Sequence, residues 1–377
     1  MIVISVVITF LWCRIASGII SSKYGNLQSK VTTQIQNTAK SKQISDVVSL
    51  QNYLIQTLQK AQKSVVSIAI SKDVKFYVED PSQMSGPWTV QTTTLGWWSG
   101  ILVAKHGYII TNKHVVQDTA SKYAVTLSDG KIYNVDKIWF DDVLDIAVLR
   151  IVDSKGNPFS DLPVASFLSI NDDVQVGQFV WTIGNALAEY ANSVSFGIIS
   201  SKNKQLKINK SNLYIWLYQT DALVNLWNSW GPLLDINGNV IGISTALDTA
   251  QKIAFALPLT QEFVDSTIKS VETYDKIARP LIGIQYLEIT PSIQKDKKLT
   301  VDQGIFVKDV LADLPAAQAG IKIWDIITSI NGKIITDQLP FLYQLYTSIP
   351  GDTVALSVLR AGKPLTINVV LGWGKVN

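Results

Sequence analysis

The chain has 377 residues, 47% of them hydrophobic, with 33 Lys+Arg against 30 Asp+Glu. This length and apolar content allow two or three domains with a sizeable core and exclude wholesale disorder. A net charge of +3 without a long single-sign block excludes an electrostatic footprint for nucleic acid. The single cysteine, Cys13, excludes an internal disulfide, and no Cys/His cluster has metal-ligand spacing.

At the N-terminus, residues 2–12 (IVISVVITFLW) form an unbroken apolar run, followed by Arg14 and the small-residue stretch IASGIISS. Residues 1–20 therefore read as an export signal or membrane anchor, although the basic leader is missing and the run is short for a spanning helix. A lipoprotein reading through Cys13 is disfavoured by Phe10-Leu11-Trp12 before it, and a buried core helix is the alternative. Residues 21–45 are rich in Ser, Lys, Gln, Thr and Asn and suit an exposed linker. Val47, Leu50, Leu54 and Leu58 then recur at three- and four-residue spacing, which makes 21–60 a polar linker ending in a short amphipathic helix. That helix is either a loose surface element or a subunit contact.

From Val65 to Leu259 the pattern changes to short runs of strand length rich in β-branched residues, among them GILV, YIIT, YAVTL, DIAVLRI, QFVWTI, YIWLYQT and NVIGIST. Turn signals such as Ser128-Asp129-Gly130 and Asn237-Gly238-Asn239 separate them. Many short strands at this spacing predict an all-β barrel or sandwich. A helical segment near 260–277 precedes Arg279-Pro280, a domain boundary. Beyond it, strands are expected at LIGIQYL, QGIFVKDV, DIITSING, TVALSVLR and LTINVVL, with one helix in PAAQAG and another around Leu339 to Ser348.

Nucleophilic hydrolysis needs a weak nucleophile, a base that titrates near neutrality and a third group that fixes the base's tautomer. Only two histidines exist. His106, in Ala-Lys-His-Gly-Tyr, has the setting of an exposed hairpin turn. His114 follows the strand YIITN and precedes an apolar pair, so it can point inward at the end of a barrel. His114 sits in TNKHVV, Asp145 in DIAVLRI, and Ser229 in QTDALVNLWNSWGPLLDINGNVIGI. The aspartates just before Asp145, Asp141 and Asp142, read as solvated loop charges.

With these three segments in this order the chain resembles the HtrA family, whose patterns read roughly T-N-x-H-V-V, D-[IL]-A-V-L-[KR]-[IV] and Q-T-D-A-x-[IV]-N-x-G-N-S-G-G-P-L. The resemblance implies an all-β, chymotrypsin-like double β-barrel protease over 61–265, followed by a small α+β PDZ domain over 279–374. It implies Ser229 as nucleophile, His114 as general base and Asp145 as the carboxylate that holds the imidazole. Backbone N–H groups of Trp227 and Ser229 would form the oxyanion hole, and Val224 and Leu247 would line a pocket for a small or medium aliphatic residue. In the PDZ part, Leu281-Ile282-Gly283-Ile284 stands where the family has its carboxylate-binding loop, for C-terminal peptides bound by β-addition.

The function so implied is an ATP-independent extracytoplasmic serine endopeptidase, periplasmic or at the cell surface, that degrades unfolded or damaged proteins. It would be a homotrimer that meets the membrane through its N-terminal segment, with no metal or organic cofactor. A regulatory protease with one membrane-protein substrate shares the same motifs. The serine segment departs from the family at Trp227 and Trp230, where glycine is expected. Trp98, Trp139 and Trp324 repeat that departure, and Trp12, Trp88, Trp97, Trp181, Trp216 and Trp373 also stand where glycine would fit. Two readings follow: a code in which UGA means glycine, translated with UGA as tryptophan, or a catalytically inactive, peptide-binding, chaperone-like pseudoprotease.

Overall fold

The computed structural model describes residues 46–77, 88–184, 193–207, 213–223, 230–248 and 253–374, in two units that divide between residues 57 and 58. The apolar run at 2–12 and the linker at 21–45 lie outside the described residues. In the first unit residues 46–57 are helical, with Val47, Leu50 and Tyr53 exposed. No helix among the described residues is long and apolar enough to cross a membrane.

The second unit begins with helical residues 58–62, whose Leu58 and Ala61 pack on its core. Six strands then close a first antiparallel barrel: β1 (Val65–Tyr77), β2 (Trp88–Ala104), β3 (Tyr108–Thr111), β4 (Lys122–Thr126), β5 (Ile132–Phe140) and β6 (Ala147–Ile151), in the order β1-β2-β3-β6-β5-β4. One alternating set of apolar residues, among them Val66, Ile68, Leu102, Ile109, Leu149 and Ile151, forms one buried cluster in this barrel, while Val65, Ile101, Ile110 and Val148 from the same strands join another. A second barrel, ordered β10-β11-β12-β9-β8-β7, uses β7 (Phe179–Gly184), β8 (Ser193–Lys207), β9 (Leu213–Thr220), β10 (Pro232–Leu234), β11 (Val240–Asp248) and β12 (Ile253–Pro258). Its interior holds Val180, Ile199, Leu233, Ile241 and Ala256. Glycine is obligatory at Gly197, where a Cβ would come 2.4 Å from the backbone nitrogen of Ala222, and at Gly242, where it would come 2.7 Å from the backbone oxygen of Leu257.

A one-turn helix, α1 (Lys113–Val116), leaves the end of β3, and α2 (Gln261–Tyr274) follows the second barrel. Thr260 caps α2 through its side chain, and Phe263, Val264, Ile268 and Val271 form its buried face. The C-terminal part contains β13 (Pro280–Leu281), β14 (Ile284–Glu288), α3 (Pro291–Lys297), β15 (Ile305–Val310), α4 (Pro315–Gln318), β16 (Ile326–Ile330), β17 (Lys333–Ile334), α5 (Phe341–Leu345), β18 (Thr353–Arg360), β19 (Lys363–Val370) and β20 (Gly372–Trp373). The main sheet runs β14-β15-β16-β18-β19 with β17 on β16, and β13 pairs with β20. The helix predicted around Leu339 to Ser348 is shorter than expected, Phe341–Leu345, with Pro340 at its N-cap setting its start.

The seam between the barrels and the C-terminal part is organised around Arg279. Its Nε donates to Asp141 Oδ2 (2.8 Å), its Nη1 donates to Thr267 Oγ1 (3.1 Å), and its guanidinium lies over the Phe263 ring. The reading of Asp141 as a solvated loop charge is corrected here: its side chain has no exposed surface, and its Oδ1 accepts from the N–H groups of Val143 and Leu144. Burial of a carboxylate requires such pairing, and the partner lies 138 residues away. Asp142 is exposed, as expected.

Candidate active site

His114 is the second residue of α1, where the chain turns off β3, and Asp145 lies between the Asp141 loop and β6. Because β3 and β6 are paired neighbours, His114 and Asp145 meet at the ends of adjacent strands. The His114 Nδ1 to Asp145 Oδ2 distance is 2.7 Å, and the backbone N–H of His114 donates to Oδ1 at 3.0 Å. One carboxylate oxygen thus holds the ring and the other the backbone of His114. Asp145 is largely covered (10% exposed side chain) and His114 is about one third exposed (34%), the order needed for a buried orienting anion beneath an accessible base. Nδ1 facing the carboxylate leaves Nε2 for a nucleophile's proton. His106 lies in the turn between β2 and β3, exposed, and takes no part.

Three residues that the motif reading did not assign complete the carboxylate's surroundings. Asn112 Nδ2 donates to Asp145 Oδ2 (3.2 Å) and reaches Thr245 Oγ1 (2.7 Å), while the Thr245 hydroxyl lies 3.1 Å from Oδ2. The Tyr214 hydroxyl, from β9, lies 3.4 Å from the same oxygen. Burial, then the charge of Asp145, pushes the Tyr214 phenol up to about 12, so it is a donor throughout the neutral range. Asn112 and Thr245 fall inside the quoted segments TNKHVV and NVIGIST; Tyr214 carries no sequence signal beyond its strand.

Ser229, Trp227 and Val224 lie outside the described residues. Leu247 lies in β11, in register with Ala254 of β12. Trp230, the residue after the predicted nucleophile, is described. It has φ +63°, packs edge-on against His114 (centroids 5.4 Å apart) and edge-on against Trp98 (4.4 Å). Trp98 Nε1 is buried without an acceptor among the described residues. Trp216 and Trp324 also have left-handed backbone, at φ +62° and +72°. That region costs a residue bearing a Cβ roughly 1–2 kcal/mol and is open to glycine.

In the C-terminal part, Leu281, Ile282, Gly283 and Ile284 line a cavity of about 200 Å³ with Tyr286 and Leu345, and Asp142 and Val143 of the barrel loop form part of its wall. Gly283 has φ +85°, and a Cβ there would come 2.4 Å from Leu314 Cβ, so the loop requires glycine. Ile284 opens β14, which pairs with β15.

Comparison with known proteins matches residues 98–243 to the trypsin-like peptidase domain and 280–371 to the PDZ domain. The periplasmic pH-dependent serine endoprotease DegQ of Escherichia coli (strain K12) is 33% identical over 352 residues, covering 87% of this chain and 72% of DegQ. The chain belongs to the HtrA/Deg family of serine endoproteases. The periplasmic serine endoprotease DegP of Salmonella typhimurium is 34% identical over 278 residues, 72% of this chain and 56% of DegP. Among solved structures, the HtrA-type protease AlgW with decapeptide superposes with TM-score 0.58 at 26% identity, covering 86% of this chain and 99% of AlgW. The two six-stranded barrels followed by a PDZ domain are the architecture of an HtrA-type protease, as the motifs implied.

Proposed function

We propose that the chain is an extracytoplasmic, ATP-independent endopeptidase that cuts unfolded or damaged proteins through Ser229, His114 and Asp145. The observation that carries this reading is the 2.7 Å pairing of His114 Nδ1 with Asp145 at the barrel ends, within a family of serine endoproteases. Ser229 attacks the scissile carbonyl as His114 Nε2 takes its proton, and Asp145 stabilises the resulting imidazolium. The N–H groups of residues 227 and 229 receive the oxyanion, Val224 and Leu247 bound the pocket for the residue before the cut, and C-terminal peptides dock at Leu281–Ile284 of the PDZ domain. The periplasmic relatives support the location, with residues 1–20 as signal or anchor. The exposed, mutually packed rings of Phe179 and Phe196, with Trp181 against Phe196, supply an apolar face for the homotrimer that the family resemblance suggests. No step requires a metal or organic cofactor.

The active form carries glycine at the tryptophan positions, read from UGA in the native host. The left-handed torsions of Trp216, Trp230 and Trp324 support this, because a bulky side chain has no reason to collect at such positions. A second reading, a peptide-binding pseudoprotease with genuine tryptophans, draws on well-used indoles. Trp139 Nε1 donates to Asp275, and Trp216 packs edge-on to Tyr343 and Tyr346. The test is to express the chain with glycine at all eleven positions, with Ser229→Ala as control, and present an unfolded protein. Cleavage abolished by Ser229→Ala supports the endopeptidase. Equal cleavage by both removes Ser229 from its role, and cleavage by neither favours the pseudoprotease.

A further inference from the structure

We propose that Tyr214 is a positioning residue of the His114–Asp145 pair, through which the second barrel moderates the carboxylate's hold on the imidazole. The proposal rests on the assignment of His114 as base, and it concerns a residue for which the motifs supply no role. Among the described residues, four donors converge on one oxygen, Asp145 Oδ2: His114 Nδ1 (2.7 Å), Thr245 Oγ1 (3.1 Å), Asn112 Nδ2 (3.2 Å) and the Tyr214 hydroxyl (3.4 Å). A carboxylate oxygen has about two lone-pair sites, so these donors compete for its charge. His114 and Asn112 come from the first barrel, whereas Thr245 (β11) and Tyr214 (β9) come from the second.

The Tyr214 contribution has a defined sign. The phenol stays protonated at neutral pH and, among the described residues, donates to the carboxylate, so it withdraws charge from the oxygen that stabilises the imidazolium. It is the longest of the four contacts, placed to tune the pair rather than to hold it. Tyr214 also shares a cavity of about 160 Å³ with His114 and Asp145, walled by Lys113, Asp142 and Leu257. The other charges facing the pair among the described residues are fixed or outlying: Lys113 Nζ donates to the Asp141 carbonyl oxygen, Asp141 is neutralised by Arg279, and Asp142 lies at the exposed rim. Tyr214 makes the longest contact of the uncharged donors to Oδ2 among the described residues.

Tyr214→Phe keeps the ring and deletes the donor. With only two histidines in the chain, ring-proton NMR resolves His114 directly, with exposed His106 as internal reference. The expected result is that proton affinity at His114 rises about two- to fivefold in Tyr214→Phe, the scale of one modest hydrogen bond, while His106 does not move. In an Asp145→Asn background the Tyr-to-Phe difference disappears. No change at His114, a fall, or a change that persists in Asp145→Asn overturns the proposal. The NMR readout needs no turnover, so it stands or falls independently of Ser229. In the glycine form that turns over, the acid limb of the kcat/KM profile moves to higher pH with the NMR midpoint, and a limb that stays in place also overturns the proposal.

Discussion

Trp324 offers the sharpest test of whether the left-handed tryptophans occupy positions built for glycine. Its backbone is held from several sides: its N–H donates to Val307 O (2.8 Å), the adjacent Asp325 accepts from Lys322 N, and Arg360 grips Asp325 with two bonds of 2.8 and 2.7 Å. The turn cannot relax to suit the side chain, and the residue is 74% exposed, so the indole contributes little packing. Comparing Trp324→Gly with Trp324→Ala cancels the lost indole and isolates the backbone. Alanine at φ +72° retains a left-handed penalty of roughly 1–2 kcal/mol. Glycine escapes it but loses about 0.5–1 kcal/mol to unfolded-state entropy. Glycine should then exceed alanine by about 0.75 kcal/mol, within a span of roughly 0–1.5 kcal/mol, a urea midpoint shift of about 0.4 M at a slope of about 2 kcal/mol/M. At Trp181, in the regular strand β7, the order reverses, because only the entropy difference remains. Urea denaturation followed by circular dichroism reads both pairs. Alanine equal to or above glycine at 324 would refute the reasoning.

Three further outcomes are expected. Asp145→Asn, in the glycine form, lowers kcat about 10⁴-fold with little change in KM, because His114 loses the anion that fixes its tautomer; a loss below tenfold in steady-state assays would remove Asp145 from its role. Arg279→Ala destabilises by roughly 3–5 kcal/mol through a stranded, fully buried Asp141, and Asp141→Leu combined with Arg279→Met recovers most of the loss in chemical denaturation. The Glu262 carboxyl, although burial opposes ionisation, is held below its ordinary value by Ser169, the Ile170 N–H and Lys333. A depressed carboxylate contributes stability above its unfolded pKa of about 4.3 that is lost as pH falls through the folded value. The stability gap between wild type and Glu262→Gln should therefore close between neutrality and strongly acidic pH, and a gap that widens contradicts the sign.

Much of the fold could be read from sequence because its information is local. The β-branched runs YIIT and DIAVLRI became β3 and β6, and their pairing brought His114 to Asp145. With two histidines in the chain, the candidate base is a choice between a turn and a strand end. What escaped was set by tertiary placement. Asp141 looks like any loop aspartate until Arg279 is packed against it, and Tyr214 shows its hydroxyl to Asp145 only after the two barrels meet. Helix α3 leaves no hydropathy signal although Thr290-Pro291 carries a cap and a first-turn proline, because a polar stretch with no buried residue has no apolar period to reveal it. The tryptophans repeatedly displace glycine in the sequence, and backbone torsions separate left-handed Trp216, Trp230 and Trp324 from Trp139 and Trp181, which are not left-handed.

The Asp141–Arg279 pair also bears on how the chain can be cut and recombined. Asp141 belongs to the first barrel, four positions before Asp145, yet its counter-ion arrives only as the chain enters the PDZ domain. A fragment ending after α2 would leave an orphaned anion directly behind the loop that presents Asp145. A graft that exchanges the C-terminal domain must therefore carry an arginine at the junction, so the useful splice point lies after residue 279 rather than at the end of the protease barrels.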